Sequence, residues 1–245
     1  MNTRRKFLLQ GSMATTALIA ANPFKSIANT LSPLTGFSVN DNKVIFLHTG
    51  DHEHNRQVTI SQVSHLKKNT GNLLMIHAGN ITDSQTAKLK YDVKMSDELS
   101  EVISNNGYRI IYKGNIRTGI ISVAEGEKEA VKRINTLSTW LKKEKECHLV
   151  VCLSQLGYKN KTAIDDRRLA EESTHLDIII SGHHSNISKR PYITRNTKKE
   201  EVVINSAAGN IFDFGNIEIV FDENRKKKSI AINNLRKQFN VEGQG

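Results

Sequence analysis

Histidines gather where apolar runs of this chain give way to polar residues: His48, His52, His54, His77, His183 and His184. Asp51, Glu53 and Asn80 stand among them. The densest case is Leu176-Asp177-Ile178-Ile179-Ile180-Ser181-Gly182-His183-His184-Ser185, where a β-branched run breaks at glycine and is followed by a pair of imidazoles. A buried strand delivers ligands or catalytic groups to the rim of a sheet in this way. Imidazole and carboxylate at such a rim suit a borderline cation such as Zn²⁺ or Mn²⁺. Asp51, Glu53 or His54, and His183 or His184 could hold one ion. The competing reading makes the extra histidines ordinary loop groups, with His48 and His77 bonded to backbone carbonyls in or beside the core.

The elements that must carry these residues follow from periodicity. Val44–Leu47 reads as a strand entering His48-Thr49-Gly50-Asp51-His52-Glu53-His54, and Leu73–Ile76 as a second ending in His77-Ala78-Gly79-Asn80. Tyr108–Tyr112 reads as the third, ending at Gly114-Asn115, with Gly119–Val123 a candidate fourth. His148–Leu153 ends at Ser154-Gln155-Leu156-Gly157, Asp177–Ile180 precedes the histidine pair, and Glu201–Ile204 and Ile217–Phe221 complete the strands. Between them Ile60, Val63 and Leu66 recur at helical spacing. Met95, Leu99, Val102 and Ile103 do so ahead of Gly107, a residue suited to a helix C-cap. Ala130, Val131, Ile134, Leu137 and Leu141 share another helical face bordered by Trp140, read as core packing, and Asp165–Thr174 forms one more helix. Strands alternating with helices predict an α/β domain whose strand C-terminal ends line one cleft.

Taken in order, HTGDHEH, MIHAGN, YKGNIR, CLSQLGYKN, DIIISGHH and the close at Asn205–Asp222 resemble the calcineurin-like metallophosphoesterases, and among them the metallophosphatase domain of 5′-nucleotidases. The resemblance implies a two-sheet α/β/β/α sandwich with its cleft at the strand C-terminal ends. It implies motifs D-x-H, G-D, G-N-H-E, S-H and G-H-x-H around two divalent metals. In that scheme the metals activate a bridging water and the histidine of G-N-H-E protonates the leaving oxygen. Carried over residue by residue, Asp51, Asn115 and His183 keep the family type. Glu53 replaces the histidine of D-x-H, Asn80 the bridging aspartate, and Ile116 the catalytic histidine, with Arg117 after it in place of glutamate. Gln155 replaces the histidine of S-H, and Ser185 the second of G-H-x-H. Asn80, Glu53 and His184 are altered ligands on this mapping, and no catalytic residue is assigned. A neutral amide at position 80 cannot offset the repulsion of two dications about 3.5–4 Å apart. The expectation is therefore no metal or one divalent ion, Zn²⁺ or Mn²⁺, and no dinuclear centre. The stretch from Gly114 to His148 is also shorter than the family's.

The ends of the chain have a different composition. Residues 1–28 read as a twin-arginine-like signal peptide: Arg4-Arg5-Lys6, an apolar stretch Leu8–Ala21 softened by glycine and serine, and Ser26-Ile27-Ala28 as a cleavage site. Residues 29–42 follow as a linker, 43–235 as the metallophosphoesterase-like domain and 236–245 as a tail. This predicts export to a bacterial periplasm, or inner-membrane association through an uncleaved signal, with no transmembrane span after its removal. The net charge is +10, and the signal holds Arg4, Arg5, Lys6 and Lys25 and no acid, so the mature charge is modest. Arg225-Lys226-Lys227-Lys228 reads as a solvated turn between strand-like segments. No basic stripe interleaved with aromatics points to nucleic acid. Cys147 and Cys152 lie about 17 Å apart if on one strand, too far to bridge.

Three functions compete: an exported metallophosphoesterase-fold protein with impaired or lost dinuclear hydrolysis that binds a ligand or partner, a nucleotidase-like phosphoester hydrolase on a rebuilt single-metal site, and a basic surface-binding module. Partners implied are a phosphate-bearing small molecule or a separate chain of the nucleotidase C-terminal type, which the resemblance makes the source of nucleotide specificity.

Overall fold

The computed structural model describes residues 42–50, 71–79, 90–95, 107–159, 164–183, 190–206 and 212–236. Apolar runs become strands and the strands form two six-stranded sheets. In the first, β1 (Lys43–Thr49), β2 (Leu73–His77) and β3 (Val93–Lys94) run parallel. β10 (Phe212–Phe221) pairs antiparallel with β1, and β11 (Lys227–Ile232) and β12 (Leu235–Arg236) pair antiparallel with β10. In the second, β5 (Ile116–Val123), β6 (Leu149–Ser154), β7 (Ile178–Ser181) and β9 (Glu201–Ser206) run parallel. β4 (Tyr108–Lys113) and β8 (Tyr192–Arg195) close its edges antiparallel.

Period-two alternation divides the side chains of the second sheet between two cores. Leu149, Val151 and Leu153 of β6, with Ile178 and Ile180 of β7, face the first sheet and meet Val44, Phe46, Leu74, Ile76, Ile217 and Ile219. Val150, Cys152 and Ile179 face the other way, onto helix α1 (Ala130–Lys143) and helix α2 (Asp166–Glu172). Ile134 and Leu141 are the buried heart of α1, and Leu169 and Ala170 of α2. Asp165 caps α2, accepting from the Arg168 amide at 2.8 Å. Trp140 packs edge-on against Tyr108, ring centroids 4.7 Å apart, as its place beside the apolar face of α1 predicts. Cys147 and Cys152 are buried and free, with Cys147 lying just before the strand.

The sheets are tied at the end of the sandwich opposite the cleft. Asp177, just ahead of β7, accepts from the Val150 amide at 2.7 Å and pairs with Lys142 of α1 at 2.7 Å and Lys227 of β11 at 2.5 Å. Burial pushes its carboxyl up, but the two ammonium groups outweigh that and hold it below the usual carboxylate range.

One expectation fails here with consequences for the site. Tyr108–Lys113 is not a third parallel strand opening on the cleft. It forms an antiparallel hairpin with β5, Lys113 facing Ile116, closed by Gly114-Asn115 with Gly114 at φ 56. The third strand of the first sheet is the short β3. Strands β8 and β12 were not anticipated either, while β11 answers to the strand-like segment expected after the Arg225–Lys228 turn and begins earlier, at Lys227. The helical spacing at Ile60–Leu66 and most of that at Met95–Ile103 lie outside the described residues.

Candidate functional site

Parallel strands bring their C-terminal ends to one edge. Val123 of β5, Ser154 of β6, Ser181 of β7 and Ser206 of β9 are level in register. Thr49 of β1 is level with His77 of β2, and His77 with Lys94 of β3. Apart from Val123, the strand residues at this edge are polar.

The sheets come closest at Gly182. A Cβ built there would lie 1.8 Å from the Ala78 carbonyl oxygen and 2.8 Å from the Gly79 nitrogen. Strand β7 therefore ends against the backbone at the end of β2, and only glycine fits. In the sequence His183 follows Gly182, and Asn80 follows Gly79. Gln155 joins them, since its amide donates to Val123 O at 3.0 Å while the Gly182 amide donates to Ser154 O at 2.8 Å.

His183 is half-buried at this edge, and its Nε2 lies 3.5 Å from the Glu125 carboxylate, which is largely exposed. Glu125 was missed in sequence. The signal was its position directly after the candidate strand ending at Val123. Beneath the edge, Ser154 donates to Asp166 Oδ1 at 2.5 Å and accepts from the Leu156 amide at 3.1 Å. Asp166 is fully buried and its Oδ2 has no partner among the described residues. Burial pushes this carboxyl up to about 6, against the opposing pull of Ser154, Ser181 and His183.

That shift has a sign. A raised acid pKa means the native state holds the proton more tightly than the unfolded chain. Asp166 then contributes least unfavourably below the unfolded value of 3.8, and it destabilises increasingly as pH rises through about 6. The full penalty at neutral pH is about 3 kcal/mol. Asp166→Asn keeps an acceptor for Ser154 but leaves a buried N–H, which returns part of the gain. Urea melts should show the variant more stable than the parent by about 1–2 kcal/mol near pH 7.5, with the advantage gone near pH 4. A variant less stable at the higher pH would contradict this reading.

The buried histidines behave as core residues, but with partners other than the backbone carbonyls expected. His48 Nε2 takes a hydrogen bond from Asn205 Nδ2 at 2.9 Å, across the gap between sheets. Asn205 in turn exchanges amide hydrogen bonds with Asn234 at 2.9 and 3.0 Å. Burial lowers the His48 pKa to about 3, so its ring is neutral. A Cβ on Gly215 would lie 2.2 Å from His48 Nε2, so the ring lies directly on the glycine. His77 Nδ1 meets the Thr49 hydroxyl at 2.7 Å, and its ring lies against Tyr91.

The remaining candidates divide. Asn115 sits exposed in the β4–β5 turn, at the start of β5, roughly 25 Å along that strand from the edge holding Gln155 and His183. Ile116 beside it is 0% exposed, inside the core between the sheets. Neither reaches the cleft, so mapping G-N-H-E onto Gly114–Arg117 is corrected. Asp51, Glu53, Asn80, His184 and Ser185, with Ser96 to Glu98, lie outside the described residues. Among the described residues no group of three or more His, Cys, Asp or Glu side chains could hold a metal ion.

No protein-family model matches the chain, and no curated protein matches it. Solved structures do. A 5′-nucleotidase precursor from Thermus thermophilus is 15% identical, with 79% of this chain and 54% of that one covered at a TM-score of 0.59. The NAD nucleotidase of Haemophilus influenzae is 13% identical, covering 79% and 50%, TM-score 0.57. A putative 5′-nucleotidase from Staphylococcus aureus is 11% identical, covering 80% and 55%, TM-score 0.52. The chain spans about half the length of these proteins. At such identities the likeness concerns the fold, which is the two-sheet metallophosphoesterase sandwich that the motif order implied.

Proposed function

We propose that a metallophosphoesterase sandwich in this protein has become an exported binding protein, its cleft holding at most one divalent cation and a phosphate-bearing ligand or partner, with dinuclear hydrolysis impaired or lost. The observation that carries this reading is the contact of Gly182 with Ala78 and Gly79. It brings Gly182 against Gly79, the glycines that open the stretches read as G-H-x-H and G-D, and so supports a chemical reading of the residue types at those positions. They are amides at Asn80 and Gln155 and one imidazole at His183. A metal pair needs an anionic bridge, and an amide supplies one neutral oxygen.

A single ion suits the residues better. His183 offers an imidazole nitrogen at the opening and Glu125 a carboxylate beside it, with Asp51 the first aspartate of the motif. A Zn²⁺ or Mn²⁺ bound there would act as a Lewis acid toward a phosphate oxygen. This chain would contribute ion binding through His183 and Asp51 and a rigid floor through Ser154 and Asp166. The nearness of Glu125 to His183 favours a second reading, phosphoester hydrolysis on one metal; there, turnover should disappear in both Asp51→Ala and His183→Ala.

Restoration tests the main reading. A variant combining Glu53→His, Asn80→Asp, Gln155→His and Ser185→His should bind about one Mn²⁺ equivalent more than its parent and gain hydrolysis of a generic phosphate diester. A folded variant without added metal would mean the cleft has lost its shape as well as its ligands.

A further inference from the structure

The end of the sandwich away from the strand C-termini carries a cluster of cations that outnumber the carboxylates among them. Lys198 Nζ lies 2.9 Å from His175 Nε2. Lys142 donates to the His148 carbonyl at 2.8 Å, and the Arg117 amide donates to His148 Nδ1 at 2.9 Å. Residues 223–228 are all exposed beside them. Some acids at this end are engaged inward. Asp177 is held between Lys142 and Lys227, and Lys43 pairs with Glu218 at 2.7 Å. Asp222 Oδ1 accepts from the Asn224 and Lys226 amides, both at 2.9 Å. Glu144, Glu146, Glu200, Glu201 and Glu223 remain outward, fewer than the exposed cations Lys143, Lys198, Lys199 and Arg225 to Lys228.

The half-buried histidines register the resulting field. His148 is lowered by burial and then by Arg225, Arg117 and Lys142 against the opposing pull of Glu146; His175 by burial and then by Lys198, with Glu200 opposing and Lys142 and Lys143 adding to it. The turn holding Arg225 is tightly built. Asp222 N donates to Lys226 O at 2.9 Å, and Arg225 N to Asp222 O at 3.0 Å. Arg225 itself sits at φ 60, where glycine or asparagine is the ordinary choice. A cation is thus placed at the apex of a closed turn at a conformational cost.

The described chain also begins at this end. Phe221 N donates to Asn42 O at 2.8 Å, next to the β10–β11 turn. The preceding 41 residues bring Arg4-Arg5-Lys6 and the apolar stretch Leu8–Ala21. We propose that this basic face, through Lys198, Arg225, Lys226 and Lys228, docks on an anionic lipid bilayer, so that the cleft at the opposite end points away from the membrane. Charge complementarity supplies the attraction, and the apolar stretch Leu8–Ala21 in the preceding sequence favours a bilayer over nucleic acid. Docking through this face is independent of what the cleft binds.

The test is flotation of the full chain with vesicles of phosphatidylcholine alone or with about 30 mol% phosphatidylglycerol, at low and high salt. Binding should require the anionic lipid and fall steeply with salt. The exposed-turn variant Arg225→Glu, Lys226→Glu, Lys228→Glu should lose about 100-fold or more in affinity with an unchanged melting temperature. The milder triple alanine variant should lose less, and His183→Ala nothing. Equal binding to neutral vesicles, or binding untouched by the turn variants, would overturn the proposal. So would tighter binding to a DNA duplex than to the anionic vesicles at equal salt.

Discussion

Ile116→His should lower the melting temperature by about 10 °C or prevent folding, and should create no metal site. Ile116 is fully buried between the sheets at the start of β5. Removing its branched side chain from a close-packed core is worth about 2–4 kcal/mol. An imidazole there has no partner and adds a burial penalty of about 1–3 kcal/mol. For a domain of this size each kcal/mol moves the midpoint by about 2–4 °C. Asn115→His, in the exposed turn beside Ile116, should leave the melt nearly unchanged. Thermal unfolding of the two variants side by side is the check. A stable Ile116→His protein that takes up metal would return the hairpin turn to the cleft and undo the correction.

Gly182→Ala should destabilise the protein by about 3 kcal/mol or more, a large effect for one methyl group. The added carbon would lie 1.8 Å from the Ala78 carbonyl oxygen, and the atom in its way is backbone. Neither β7 nor β2 can yield without breaking the register that levels Ser181 with Ser154 and His77 with Thr49. Overpacking ordinarily costs about 1–3 kcal/mol, and relaxation by side-chain rotation is not open here. Gly119→Ala is the control. Its Cβ would meet Leu141 Cδ1 at 2.9 Å, the mobile end of a flexible side chain. The loss there should stay near 1 kcal/mol. Denaturant melts compare the two. Equal effects would mean that the close approach of the sheets at the cleft is not a constraint on the fold.

Much of the sandwich was legible because its central strands are buried on both faces. Runs such as Leu149–Leu153 and Ile178–Ile180 have few other readings, and the helix at Ala130–Lys143 shows its period plainly. Strand β3 was hidden because two residues carry no period. Its partner error had a visible remedy. Gly114-Asn115 is a two-residue link between β-rich segments, a hairpin signal with glycine leading, and it competes with the motif reading of the same letters. The outer strand β8 alternates half-exposed residues and lacks an apolar run, so nothing in its hydropathy announced it. At the site, His183 was legible from the strand that delivers it. Glu125, Asp166 and the His48–Asn205 bond were not, since each depends on a contact between segments far apart in the chain.

The most direct test of the account is metal stoichiometry. The unmodified chain would be dialysed against excess Mn²⁺ or Zn²⁺, freed of unbound ion and analysed for metal per protein, with phosphate release from a phosphoester measured on the same sample. A neutral amide at position 80 predicts no more than about one tightly held ion and turnover at least about 100-fold below an enzyme with a complete metal pair. Two ions per chain together with rapid phosphate release would contradict it.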